Sequence, residues 1–127
     1  MKILLVRHAE AAPGEPDELR RLTPGGRETA RALGERLAAR HPDAVVCSPL
    51  LRARETAEPI ARAAGVSLQA DERLAPGAEL SDLSAAVTGR GETVVVVGHQ
   101  PDCGRIVLAL TGRQLDFAPG GVAELEL

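Results

Sequence analysis

Three short polar clusters in this 127-residue chain carry residue types suited to phosphate chemistry. Arg7-His8 closes one apolar run, Ser48-Pro49-Leu50-Leu51-Arg52-Ala53 follows a second, and Gly98-His99-Gln100-Pro101 follows a third. An arginine presents a planar, permanently charged fork that matches phosphate oxygens two at a time. A histidine with one ring nitrogen held as a donor keeps a lone pair on the other, and that lone pair can attack phosphorus. A second histidine, if protonated, can donate to the equatorial oxygens as charge redistributes. Phosphoryl transfer needs mainly positioning and a positive field. Two histidines and two arginines therefore suffice, provided the fold brings them together. Amides at a helix start near Pro101 would add donors.

The elements around these clusters supply that convergence. Ile3-Leu-Leu-Val6 and Ala44-Val-Val-Cys47 read as short buried strands, and Thr93-Val-Val-Val-Val97 as a central strand covered on both faces. Val66–Ala70 is a weaker strand. Val122–Leu127 alternates and reads as a half-exposed strand near an edge. Between them run helices. Thr23 caps the first, with Pro24 at its first position and Ala30, Leu33 and Leu37 on one face. It stops near His41-Pro42. Ser48 caps the second, whose stripe is Leu50, Ala53, Ala57, Ile60, Ala61 and Ala64, and Gly65 ends it. Leu80, Leu83 and Val87 mark a third helix. Cys103, Ile106 and Leu110 mark a fourth. Strands alternating with helices predict an α/β, three-layer αβα sandwich with a mostly parallel central sheet, as a single domain over residues 1–127. Ligands of such sheets bind beyond the carboxyl ends of the strands, where all three clusters lie.

Composition removes other functions. The net charge of −3 offers no basic surplus for nucleic acid, and one phenylalanine with no tryptophan or tyrosine offers no stacking platform. Met1-Lys2 leads into only the short apolar run Ile3–Val6, and no run reaches the ~18 apolar residues of a membrane span. Cys47 and Cys103 are too few for a disulfide framework and read as reduced, buried thiols. The expectation is a cytoplasmic protein with neither nucleic acid nor membrane as partner. The histidines and cysteines form no i,i+4 His pair and no Cys-x-x-Cys, so neither metal nor cofactor is expected. Of the remaining polar residues, Arg31 and Glu35 read as a solvent-facing pair. His41 suits a helix C-terminus. Arg52 is less easily explained as surface charge, because it sits in the positive first turns of its helix, where a bound anion would account for it.

Arg7-His8-Ala9-Glu10, Leu22-Thr23-Pro24-Gly25-Gly26-Arg27, Ser48-Pro49-Leu50-Leu51-Arg52-Ala53-Arg54-Glu55-Thr56-Ala57 and Val97-Gly98-His99-Gln100-Pro101 resemble, in order, the motifs of the histidine phosphatase superfamily, whose fold is phosphoglycerate mutase-like. The short chain and Arg20-x-Leu22-Thr23 look most like its SixA-type phosphohistidine phosphatases. The resemblance implies that His8 is the nucleophile and carries a phosphohistidine intermediate. It implies that Arg7 and Arg52 bind phosphate, with Gln100 and His99 also at the substrate. By looser alignment Arg20 and Asp17 match first-loop residues of the family. Ala9 replaces the commoner glycine. Since glycine tolerates positive φ and alanine does so only at a cost, an altered loop is expected there.

No carboxylate stands out as the general acid; Glu10, Glu79 and Asp102 are the candidates. An alkoxide leaving group needs an acid of suitable pKa, whereas an imidazole leaving group titrates near neutrality and needs less help. The expected function is therefore phosphate hydrolysis on a phosphohistidine-bearing protein, such as a histidine phosphotransfer domain. A small-molecule phosphomonoesterase acting on a sugar phosphate, nucleotide or ribazole phosphate is the first alternative. A non-catalytic phosphate- or phosphoprotein-binding module is the second.

Overall fold

The computed structural model describes all 127 residues. Five strands form one sheet in the order β3-β2-β4-β1-β5: β1 is Lys2–Arg7, β2 Ala44–Cys47, β3 Leu68–Ala70, β4 Thr93–Gly98 and β5 Val122–Glu126. The first four run parallel, and β5 alone is antiparallel, along the outer edge of β1. The β-branched run at Thr93–Val97 occupies the centre, as its continuous hydrophobicity predicts. The alternating run at the C-terminus occupies an edge, where one side chain in two meets water.

Helices α1 (Pro24–Ala38) and α2 (Leu51–Ala64) cover one face. There Leu33, Leu37, Ala53, Ala57 and Ile60 pack on Leu4, Val6, Val45, Cys47, Val95 and Val97. Helices α3 (Leu80–Val87) and α4 (Asp102–Thr111) cover the other, where Leu83, Val87, Cys103, Ile106 and Phe117 meet Ile3, Leu5, Val46, Val94 and Val96. Alternate residues of each parallel strand thus feed opposite layers, which makes the three-layer αβα sandwich. The core is almost wholly aliphatic. Gly34 lets α1 and α2 approach closely, because a Cβ there would lie 2.8 Å from the Pro59 carbonyl oxygen. Both cysteines are free and buried, and burial pushes each thiol up to about 12, so neither is a nucleophile at neutral pH.

Strand β3 begins at Leu68 rather than Val66 and β5 ends at Glu126 rather than Leu127, and two helix boundaries also differ from the sequence expectation. Helix α1 ends at Ala38, short of His41-Pro42, because the chain leaves it through a turn in which His41 takes a left-handed φ of 50°. Helix α2 begins at Leu51, with Leu50 in the capping position and no side-chain cap. Ser48 is therefore not a helix cap. Its hydroxyl is engaged elsewhere, as described below. No helix is long and apolar enough to cross a membrane.

Candidate active site

Strand register brings the three clusters to one level. Val6 pairs with Val97, Val97 with Cys47, and Arg7 with Gly98. Past those pairs the ladder continues: the His8 amide donates to the Gly98 carbonyl (2.9 Å) and the Ser48 amide to the Val97 carbonyl (3.0 Å). The ends of β1, β2 and β4 are thus stitched together, and His8 and His99 emerge side by side. Their ring centroids are 5.2 Å apart, with the planes inclined by 63°.

His8 is held by main chain. Its Nδ1 lies 2.7 Å from the Ala9 carbonyl oxygen. A carbonyl only accepts, so Nδ1 carries the proton and Nε2 keeps its lone pair. Burial pushes the imidazole below its ordinary value; the bond to Ala9 opposes this, and the charges of Arg52, Arg7 and Arg20 reinforce it. The neutral form therefore dominates at pH 7. The following loop is pinned from several sides. Thr56 Oγ1 accepts from the Ala9 amide (3.0 Å) and donates to the Arg52 carbonyl (2.8 Å). The Gly120 amide donates to the Arg7 and His8 carbonyls. Gly26 lets α1 rest on the loop, since a Cβ there would fall 2.2 Å from the Glu10 carbonyl oxygen. Ala9 is not in the left-handed region, and its methyl packs with Leu22 and Ala30. Ala9 costs this backbone nothing in place of glycine, because the position does not require positive φ.

The arginines reach the same place by different supports. Arg7 Nη1 donates to the Phe117 carbonyl (2.7 Å), and its Nε is buried without a protein partner. Arg52, only 7% exposed, lies in the first turn of α2. It donates from Nη1 to the Asp17 carbonyl (2.9 Å) and from Nη2 to the Asp17 carboxylate (3.2 Å). Arg20 donates to the other Asp17 oxygen (3.2 Å) and, through Nε, to the Ala12 carbonyl (2.9 Å). Asp17 is thus clamped between two guanidiniums, and its hydrogen bonds to Arg20 and Arg52 hold the carboxyl below the usual range. The short 3-10 helix Asp17–Leu19 is thereby held against Arg52 at the start of α2.

His99 is 4% exposed, and its Nε2 lies 2.7 Å from Ser48 Oγ. Burial pushes the ring down to about 4, with the neighbouring His8 and Arg52 adding to the fall and Asp17 opposing it. In the free protein the ring is therefore neutral at pH 7, not the imidazolium considered from sequence. Gln100 Oε1 accepts from the Gly104 amide (2.8 Å) and so supports the start of α4.

The three candidate acids are each tied into structure. Glu10 Oε1 accepts from the Thr23 hydroxyl (2.8 Å). Glu79 caps α3 in a reciprocal capping box with Asp82. Asp102 is buried and takes the Gly77 amide on one oxygen (2.8 Å) and Arg105 on the other (2.7 Å). Ser48, Glu55 and Thr56 were not singled out from sequence as site residues. Glu55 Oε1 accepts from the Leu22 amide (2.8 Å), tying the loop that carries Arg20 to α2. The signal for Thr56 was available: it is a polar residue on the buried stripe of α2, beside Ala53 and Ala57.

The model of the histidine phosphatase superfamily (branch 1) matches residues 3–76, more than half of the chain. The chain belongs to the histidine phosphatase superfamily. His99 lies beyond the matched residues, yet strand pairing brings it beside His8. Among solved structures, the protein histidine phosphatase SixA complexed with tungstate superposes with a TM-score of 0.88 at 28% identity, covering 100% of this chain and 88% of that one. An uncharacterized protein of Picosynechococcus sp. strain PCC 7002 is 34% identical over 139 residues, covering 98% of this chain and 84% of its own. A mycobacterial glucosyl-3-phosphoglycerate phosphatase in complex with VO3 shares the fold, with a TM-score of 0.80 at 19% identity over 98% of this chain and 90% of that one. As in the histidine phosphatase fold of SixA, the sheet is mostly parallel and layered between helices.

Proposed function

We propose that this chain is a metal-independent phosphatase that works through a phosphohistidine on His8, and that its substrate is a phosphohistidine-bearing protein. The observation that carries the reading is the His8 ring: Nδ1–H is committed to the Ala9 carbonyl, so Nε2 presents a lone pair beside two arginines. In the first step Nε2 bonds to phosphorus while the bond from phosphorus to the leaving nitrogen or oxygen breaks. The leaving group then gains a proton. In the second step water attacks phosphorus, the His8–phosphorus bond breaks, and inorganic phosphate departs. Arg7 and Arg52 bind the phosphoryl oxygens, and His99 donates to them. Arg20, which with Arg52 clamps Asp17, and Gln100, next to His99 in the chain, are assigned to substrate binding on the same reading.

The substrate class follows from the leaving group. Glu10, Glu79 and Asp102 are each occupied by a structural hydrogen bond. Asp17 is held ionised by Arg20 and Arg52. A site without a free carboxylic acid suits a leaving group that needs little protonation, and imidazole is one. The SixA neighbour, described as a protein histidine phosphatase, supports the same class.

The test compares wild type with His8→Ala on a phosphohistidine-bearing protein and on a simple alkyl phosphate, following phosphate release and intact mass. The expected result is release from the phosphoprotein, a transient mass gain of one phosphoryl group, and loss of both in the variant. Faster hydrolysis of the alkyl phosphate would overturn the substrate class. Absence of a phosphoenzyme with every substrate would overturn the mechanism.

A further inference from the structure

The rings of His8 and His99 lie 5.2 Å apart with opposite needs on the proposed reading: one must offer a lone pair, the other a hydrogen. The Ala9 carbonyl settles the first. For the second, the hydrogen-bond inventory around Ser48 decides. The Ser48 side chain is fully buried, and its oxygen already accepts from the Leu50 amide (3.2 Å). The only other partner within reach is His99 Nε2, at 2.7 Å. A serine hydroxyl has one proton to give. If Nε2 carried a hydrogen, the oxygen would receive two donors and its own proton would be buried without an acceptor. If Nε2 is bare, the Leu50 amide, the hydroxyl proton and Nε2 are all satisfied at once. Buried donors are rarely left unpaired, so the second arrangement prevails.

We propose that Ser48 is a positioning residue that sets the tautomer of His99, donating its hydroxyl proton to Nε2 so that Nδ1–H remains to bond a phosphoryl oxygen. Nδ1 has no protein acceptor among the hydrogen bonds of the site. The groups around the ring do not compete for Nε2. Arg52 is bound to Asp17, and His8 Nδ1 is bound to the Ala9 carbonyl. On the α4 side, Asp102 is taken by the Gly77 amide and Arg105, and the Cys103 thiol is pushed up by burial and uncharged. A neutral ring agrees with this arrangement, since it needs only the one proton at Nδ1. The two histidines then share one tautomer and expose opposite atoms: His8 shows Nε2 as a nucleophile, and His99 shows Nδ1–H as a donor. The part played by that donor rests on the proposed phosphatase reading; the tautomer itself does not.

The test reads the tautomer directly. With three histidines in the chain, 15N-edited NMR of the imidazole nitrogens at neutral pH can be assigned with single His variants. The expected wild-type spectrum has His99 protonated at Nδ1 and bare at Nε2. In Ser48→Ala this preference is lost, while the His8 signals keep their wild-type pattern. Turnover of an aryl phosphate falls at least about tenfold in kcat with little change in KM, as expected when a donor to the reacting group is lost. Ser48→Thr, which keeps the hydroxyl, retains the Nδ1–H spectrum. A wild-type His99 protonated at Nε2, or at both nitrogens, overturns the proposal whatever the activities. An unchanged His99 spectrum in Ser48→Ala overturns it too. Because the spectrum is read without substrate, failure of the phosphatase reading would appear separately, as absent turnover beside an intact Nδ1–H signature.

Discussion

The carboxyl ends of β1 and β4 invite comparison, because each carries a histidine just past a paired position of neighbouring parallel strands. At the end of β1 the ring is fixed by the carbonyl of the next residue, and the loop beyond is pinned by amides of Ala9 and Gly120. At the end of β4 the ring is fixed by one side chain, Ser48, delivered from β2 fifty-one residues away. The difference teaches where each function is vulnerable. His8, oriented by its own main chain, cannot lose its tautomer through substitution of a partner side chain; as the proposed nucleophile it fails only when its loop moves. A donor oriented by a hydroxyl can be undone by removing one oxygen atom.

The strongest way to sharpen that contrast is to remove the proposed nucleophile. His8→Asn is expected to lower turnover by at least about a thousandfold and to abolish the phosphoenzyme. A persistent phosphoryl mass in the variant would move the nucleophile elsewhere. Next comes the charge shared by the two ends. Arg52→Lys keeps a cation but loses the fork, so kcat/KM is expected to fall on the order of a hundredfold. Steady-state kinetics with an unchanged value would show that Arg52 serves only to hold Asp17.

The main-chain support of His8 can be attacked only indirectly, through Thr56. Thr56→Val leaves the Ala9 amide buried without its acceptor, which is expected to cost about 1–3 kcal/mol of stability and to lower kcat by roughly tenfold as the loop loosens. Chemical denaturation together with kinetics checks both, and wild-type values for both would remove Thr56 from the support of the nucleophile loop.

The smallest effect is the pH dependence of stability. His99 titrates near 4 in the folded chain, against 6.5 in its absence, and His8 is also depressed. Between those pH values the unfolded chain binds more protons, so stability is full above about 6.5 and declines as pH falls toward 4. Asp17, depressed from 3.8, adds a further loss only at lower pH. His99→Gln is expected to flatten the slope of Tm against pH across that window; an unaltered slope would mean that the ring is not held neutral by burial. Activity should follow the same sign, persisting below pH 6.5 until His8 protonates.

Much of this was readable along the chain. Runs of four apolar residues announced β1, β2 and β4, Thr23-Pro24 and Gly65 marked helix ends, and β-branched continuity placed β4 at the centre. These features are local, set by periodicity, capping and backbone preference, and so a linear sequence displays them. The places of Arg7, His8, Arg52 and His99 at the ends of elements were readable for the same reason: those boundaries are locally encoded. The role of Ser48 was not. Its position before a proline fits a helix cap equally well, and only the β2-β4 pairing brings it against His99. Nor did the sequence reveal that Asp17 occupies Arg52, that the Phe117 carbonyl holds Arg7, or that Ala9 needs no positive φ. The first two contacts span 35 and 110 residues. Sequence by itself determined which elements form and which chemical groups stand at their ends. Tertiary structure decided which nitrogen each histidine exposes, because a tautomer is set by hydrogen-bond partners, and Ser48, the partner of His99, comes from a distant strand through sheet order.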